Sequence, residues 1–433
     1  MSPPLLTQHH SVPIPPQVNV QGQDKRRDAL FLLLYFILIV AAIISRRPDA
    51  VLHAQFWAED GTIWFASAYN LGPVHTLTLP QNGYFATFPR LAAAIATLVP
   101  LASAPLVMNL LAIFVQALPP VFLLTRRFAY IGGQPVRLLM AFLILAVPTS
   151  AEVHANATNS MAFLALLAFL VLVAAPPDTK AGRVFDVAVL CLGGATGPFA
   201  VLLLPVAVLM YWIRRRRWSA VLLGIECSAA IVQAVAIVET AAGTRSSQPL
   251  GATPMLLFRI VGGQVIVSPL LGMKFLIVRP AIANLVCAVA FAGALLLLVY
   301  VVCRAPLELR LFMVFTVTLL AAALRSPLAS LTEPQWPVLI TPGAAGRYWL
   351  IPVISFFWVY VWMLGRQRPA VIRAVGALAI AAALWTGHSY WRYQPFVNLH
   401  FTKYASEFHG VPVGQDFTIP INPQGWQLTL HKH

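Results

Sequence analysis

Lys25-Arg26-Arg27, the run ALFLLLYFILIVAAIIS over residues 29–45, and then Phe56-Trp57-Ala58-Glu59-Asp60-Gly61 decide how this chain folds. A basic cluster followed by an unbroken apolar stretch of bilayer length reads as a membrane-spanning helix. Lys and Arg are retained on the cytoplasmic side, so the helix starts there. The acidic pair Glu59-Asp60 comes soon after its far end. Carboxylates are costly near lipid and are kept there for a reason.

Apolar segments of this kind recur through all 433 residues, which are 59% hydrophobic and 10% charged, with a mean hydropathy of +0.78. That composition excludes a large water-soluble domain and predicts an all-α polytopic membrane protein. The net charge of +15 comes from short basic runs between apolar segments. Such runs are topology signals rather than a nucleic-acid surface, so no nucleic-acid partner is expected. Cys191, Cys227, Cys287 and Cys303 fall in or beside apolar runs at no metal-ligand spacing, and read as small buried hydrophobes. Residues 1–24 are rich in Pro, Gln and Val and lack periodicity. They predict a disordered cytoplasmic tail reaching residue 28.

Residues 46–104 then form a long first extracytoplasmic loop. The stretch 88–104 is apolar enough to pass for a span, but counting it as one would put Arg126, Arg127 and Arg137 outside. An interfacial helix keeps them inside. Spans follow at 105–124, 136–149 and 160–175. The region 184–213 lies between two basic flanks, Arg183 and Arg214–Arg217, yet two full spans would need roughly 40 residues. A short hairpin turning at Gly197-Pro198-Phe199 satisfies both constraints. Further spans are predicted at 218–241, 281–303, 307–324, 347–365 and 370–386. The apolar middle of the 242–280 loop, Pro254 to Phe275, is expected on or dipping into the outer interface. With the tail 387–433 outside, the sum is 11 spans, N-terminus in and C-terminus out, with no internal repeat.

Most polarity then falls on the outer side, where nucleotide-activated sugars are not supplied. An activated substrate would have to arrive on a lipid. Within the acidic pair, Asp60 is the preferred general base, with its pKa brought toward working pH by Trp57 and Trp64, and Glu59 is its neighbour. The plainer reading is a helix-start acid favoured by the macrodipole. Arg347, in Gly346-Arg347-Tyr348-Trp349, is an outer arginine suited to a lipid-linked phosphate, or to anchoring among aromatics. Arg90, after Phe88-Pro89, poses the same choice between phosphate and headgroups. His75, Glu152, Asn156 and Tyr348 are candidates to line a substrate cavity. Glu226 lies inside the 218–241 span, either protonated against its own helix or as the proton site of a transporter. There is no P-loop, dinucleotide fingerprint, His-Glu-x-x-His or Gly-x-Ser-x-Gly.

At this point the chain resembles the GT-C class of membrane glycosyltransferases, and most closely the bacterial Gtr-type glucosyltransferases. The likeness rests on Trp57-Ala58-Glu59-Asp60-Gly61, Gly83-Tyr84 with Pro89-Arg90, Glu152 with Asn156 and Asn159, Gly197-Pro198-Phe199, and Pro420-Ile421-Asn422-Pro423-Gln424-Gly425-Trp426. The resemblance implies a polyprenyl-phosphate-linked sugar donor, a cell-envelope glycan or lipid acceptor, and a site on the outer face of the bacterial inner membrane. It carries the base or metal-holding role to Asp60, and phosphate binding to Arg347. A divalent cation, Mg or Mn, is a possible cofactor of the class. Two other classes remain open on the residues alone: a transporter or flippase of a lipid-linked glycan, and a non-catalytic scaffold.

Overall fold

The computed structural model describes residues 25–240, 246–278 and 280–433. The expected tail over 1–24, together with Arg245 and Arg279, lies outside the described residues. The first helix, Lys25–Arg46, takes in residues 25–28 that were assigned to the tail. Asp28 sits in its first turn, where the helix dipole favours an acid, and pairs with Arg126.

Among the described residues, seven helices are long and apolar enough to cross a membrane: Arg27–Arg46, Leu101–Leu123, Arg217–Thr240, Pro254–Leu271, Ile282–Arg304, Leu307–Arg325 and Ala370–Ser389. Gln134–Leu145, Ser160–Val173 and Phe199–Arg214 are shorter apolar helices. Leu30, Leu33, Ile37, Leu285, Val289 and Leu296 stand uncovered along two of the long helices. Backbone bonded within the helix and apolar side chains left without protein cover suit lipid and not water. Ser160–Val173 is the opposite case. Every residue except Met161 is buried, and the helix is a post at the centre of the bundle.

The basic flanks meet at one end. Arg127 grips Asp186 through two bonds of 2.6 and 2.9 Å, and Trp218 Nε1 donates to the same carboxylate. Arg214 donates to the carbonyls of Val173 and Ala174 at 2.5 and 2.7 Å, closing the C-terminal end of the central post where a cation is favoured. The expected hairpin is present as two short helices, Lys180–Gly194 and Phe199–Arg214. Gly197 turns it at φ +84°, a conformation that favours glycine. At this opposite end, Gly197 N–H donates to Phe85 carbonyl at 2.8 Å, and Phe88 N–H donates to Thr196 Oγ1 at 3.1 Å.

The 88–104 stretch forms a helix of only 10 residues, Thr87–Ala96, about 15 Å long and too short to span. It buries Phe88, Arg90, Ala92, Ala93 and Ala96 and leaves Ile95 uncovered; Leu98, just past its end, is also uncovered. Pro254–Leu271 has the length of a span, but both its ends meet the end of the bundle away from the basic flanks. Just before it, Pro249 and Leu250 accept from Gln335 and Trp336 N–H, and Trp336 in turn bonds Leu324 near the end of Leu307–Arg325. At its other end, Leu270 accepts from Thr386, in the last turn of Ala370–Ser389.

One expectation is corrected. Only Cys287 among the four cysteines is buried; Cys191 and Cys303 are exposed. The helical architecture also carries one antiparallel hairpin, Asp416–Ile421 with Trp426–His431. This hairpin lies on the 56–71 segment. Ala58 N–H donates to Asn422 carbonyl at 2.5 Å, Thr62 Oγ1 to Gln427 carbonyl at 2.7 Å, and Asn70 Nδ2 to Thr429 carbonyl at 3.0 Å. The chain leading to it straps the start of the first loop: Phe396 N–H bonds Asp49 at 2.8 Å, and Leu399 N–H bonds Gln55 at 3.0 Å.

Candidate active site

Ala58 adopts a left-handed φ of +44°, and the chain then enters a π-helical turn, Asp60–Phe65, continued by Ala66–Leu71. This turn aims the Asp60 carboxylate at the loop before the central post. Oδ2 accepts from Ala157 N–H at 2.8 Å, and Oδ1 accepts from Thr158 N–H at 2.8 Å and Thr158 Oγ1 at 2.6 Å. Trp64 Nε1 donates to Thr158 Oγ1 at 2.8 Å, so the threonine hydroxyl proton is directed onto Asp60. Burial raises the Asp60 pKa from 3.8 to about 6, against the opposing pull of the three bonds.

This environment corrects the choice within the acidic pair. Asp60 is 1% exposed and both its oxygens are committed, so it braces the 157–158 turn and is not free to meet an acceptor hydroxyl. Glu59 is half-buried, has no side-chain hydrogen bond among the described residues, and its charge acts on Arg347.

Arg347 reaches the same loop from the start of Gly346–Met363. It pairs with Glu152, donates to Leu328 carbonyl at 2.5 Å, and stacks over the Tyr348 ring at 4.9 Å. Tyr348 hydroxyl accepts from Leu328 N–H at 3.0 Å, which fixes the arginine's platform. Glu152 keeps its second oxygen, Oε2, buried and without a partner. Gly346 permits the approach: a Cβ there would lie 2.9 Å from Thr149 carbonyl and 3.5 Å from Glu152 Oε2. Asn156 is absorbed by the loop itself. It donates to Glu152 carbonyl at 2.6 Å and accepts from Asn159 N–H at 2.9 Å, a local turn typical of Asn.

Two candidates lie elsewhere. His75 is exposed on the short helix Pro73–Thr76 and has no side-chain bond among the described residues. Arg90 is 3% exposed with its guanidinium over the Trp64 ring at 5.1 Å; Nε and Nη1 are both without partners. Burial lowers its pKa, and no carboxylate acts on it. Arg347 answers two carboxylates and Arg90 none.

Sequence reasoning passed over Arg46, and it placed His154 on the outer side without giving it a role. Arg46 is fully buried without an acid, donating to the carbonyls of Val147 at 2.9 Å and Trp391 at 3.2 Å, and also to that of Leu145. Tyr393 covers its guanidinium at 4.3 Å. Its position beyond the far end of the first span, against the positive-inside bias, was the available signal. His154 sits between Gln116 Nε2 on Nδ1, at 3.1 Å, and Ile43 carbonyl on Nε2, at 3.0 Å. That pair of partners fixes the neutral Nε2–H tautomer. Burial and the nearby Arg46 and Arg47 charges hold its pKa well below the usual histidine range.

Among the described residues, no three His, Cys, Asp or Glu side chains gather in a metal-holding group. The chain matches no known protein-family model and no curated protein.

Proposed function

We propose that this protein is a GT-C type glycosyltransferase with 11 spans, its N-terminus cytoplasmic and its site at the outer face of the bacterial inner membrane. It would transfer a sugar from a polyprenyl-phosphate carrier to a cell-envelope glycan or lipid. The observation that carries this reading is the Arg347–Glu152 pair, with the charge of Glu59 also acting on Arg347, at the end of the bundle opposite the basic flanks. A base and a phosphate-binding cation are what such a transfer needs where no nucleotide is supplied.

Glu59 takes the proton of the acceptor hydroxyl. The oxygen attacks the anomeric carbon, and the carbon–oxygen bond to the carrier phosphate breaks with inversion. The phosphate leaves with the bonding pair, and Arg347 offsets its charge, exchanging Glu152 for it. Asp60 holds the loop through Ala157 and Thr158. Among the described residues, a divalent Mg or Mn ion would find Glu59 and Glu152 near Arg347, too few protein ligands to define a site.

The test is transfer from a labelled polyprenyl-phosphate sugar in proteoliposomes. Glu59→Gln is expected to lose on the order of 10²–10⁴ in rate. Full activity in that variant sinks the assignment. A second reading, a transporter or flippase of a lipid-linked glycan, is favoured by Glu226 alone. This residue is 1% exposed within Arg217–Thr240, and neither carboxyl oxygen has a partner. Movement of an intact lipid-linked glycan across the vesicle, with no transfer, would select that reading.

A further inference from the structure

Lys180–Gly194 and Arg217–Thr240 both start at the basic end of the bundle and run away from it side by side. They touch at that end through the Arg183 guanidinium, 5.7 Å over the Trp218 ring, while Trp218 Nε1 holds Asp186. They touch again at Gly194, where a Cβ would lie 2.6 Å from that of Ala229. Along this seam runs an apolar cavity of about 500 Å³. Cys191 and Gly194 line it from one helix, and Val221, Gly224, Ser228 and Val232 from the other. The seam is open on its outer side. Val184, Ala188 and Cys191 are exposed along the first helix, as are Arg217, Val221, Gly224, Ser228 and Val232 along the second. Spacings of three and four residues put each set on one helix face. Arg217 therefore stands one turn before the first residue of the cavity wall, and Arg183 caps the opposite wall from its place on Trp218.

Charge at this end is unbalanced. In the segments that meet there, 176–194 and 212–224, the acids are Asp178 and Asp186, against Lys180, Arg183 and Arg214–Arg217. Asp186 is already spent on Arg127, and Arg214 on the carbonyls of the central post. Arg183, Arg216 and Arg217 have no side-chain hydrogen bond or ion pair among the described residues. From Val221 to Val232 the cavity follows the helix for about 17 Å at 1.5 Å per residue. An acyl chain in one leaflet reaches about 15 Å, half the hydrocarbon thickness. A second apolar cavity continues past Val232, but its lining carries Glu239 and neither Lys nor Arg, so an anionic head belongs at the arginine end. Cations at the end of a groove between spans suit the phosphate of an anionic lipid. We propose that this seam is a binding site for an anionic glycerophospholipid of the leaflet at the basic end, with one acyl chain in the groove and the phosphate at Arg183 and Arg217. The site lies at the end of the bundle away from Arg347 and is independent of the transferase reading.

The test is native mass spectrometry of the full-length protein in detergent, titrated with dioleoyl phosphatidylglycerol or dioleoyl phosphatidylcholine. The wild type is expected to bind the first lipid at least about tenfold more tightly than the second. The pair Arg183→Gln and Arg217→Gln should weaken phosphatidylglycerol binding about tenfold or more. The pair Arg366→Gln and Arg373→Gln removes the same charge from exposed arginines of another cytoplasmic link and should leave binding unchanged. Gly224→Leu tests the groove itself. A Cβ at Gly224 meets no atom within 4 Å, so the variant folds, and its side chain occupies the space of the acyl chain. It should weaken dioleoyl phosphatidylglycerol about tenfold with every arginine in place. Equal binding of the two lipids, equal loss in the two arginine pairs, or unchanged binding in Gly224→Leu overturns the site.

Discussion

Thr158 donates to one oxygen of Asp60 twice, through its N–H at 2.8 Å and its hydroxyl at 2.6 Å, across 98 positions of sequence. The ionised carboxylate can accept both of these bonds and the third from Ala157; a protonated one must give up an acceptor position. Activity that depends on this loop should therefore fall as pH drops through about 6, the raised pKa of Asp60. Stability moves the other way. A folded-state pKa raised from 3.8 to about 6 means the folded chain holds the proton more tightly than the unfolded chain. The contribution is fully present below the unfolded value and is lost as pH rises to about 6, by roughly 3 kcal/mol. Thermal unfolding in detergent and a pH–rate profile should show the two opposed trends, and Asp60→Asn should abolish the stability trend. Parallel trends would refute this account of Asp60.

The Arg347–Glu152 pair predicts an asymmetry. Arg347→Gln leaves a carboxylate with one buried, unpaired oxygen and removes the cation that meets the phosphate. It should lower both stability and transfer, the latter by about 100-fold, near the effect of losing one charge-stabilising donor. Glu152→Gln instead frees Arg347, so the apparent KM for the donor should drop while kcat stays within a fewfold. A double-mutant cycle on donor binding should give a coupling of about 1–3 kcal/mol. Additive effects would show that the two side chains do not work as a pair.

The spans were legible because length and apolarity alone specify them: Arg217–Thr240 and Ala370–Ser389 lie within a few residues of the predicted 218–241 and 370–386. The Gly197 turn was legible because two basic flanks demanded a return within a short segment. What could not be read depended on partners distant in sequence. Nothing local to Glu59-Asp60 says that Asp60 is spent on Thr158 and Glu59 left free. Arg90 and Arg347 look alike as outer arginines, and only the fold gives one of them carboxylates. The C-terminal hairpin was hidden by Pro420 and Pro423, which argue against a strand. Pro420 is tolerated in a sheet of two strands, where a residue with no N–H can face outward.

Asn422 should control whether that hairpin stays docked. It is 2% exposed; its Oδ1 accepts from Val397 N–H at 3.1 Å and its Nδ2 donates to Val397 carbonyl at 2.9 Å. Asn422→Ala removes both bonds to Val397, at about 0.5–1.5 kcal/mol each. Limited proteolysis should then cut between 390 and 400 faster than in the wild type, with the helical bundle intact by circular dichroism. An unchanged cleavage rate would mean that the backbone contacts of Ala58 and Phe56 with Asn422 suffice.

Gly262 tests how Pro254–Leu271 is seated. A Cβ at this position would lie 2.1 Å from the backbone carbonyl oxygen of Cys287 and 2.9 Å from its carbon. Backbone cannot rotate aside as a side-chain tip can, so Gly262→Ala must push the two helices apart. Overpacking of this kind costs roughly 1–3 kcal/mol. The displacement carries Cys287, now 1% exposed, toward the surface. A lipid-permeant maleimide should therefore label Cys287 more rapidly in Gly262→Ala than in Gly263→Ala, whose added Cβ meets only side-chain atoms, at 3.4 Å or more. Cys191 and Cys303, already exposed, should react at the same rate in both variants and serve as internal controls once Cys227 is replaced. Equal labelling of Cys287 in the two variants would show that this helix is not held by the close approach at Gly262.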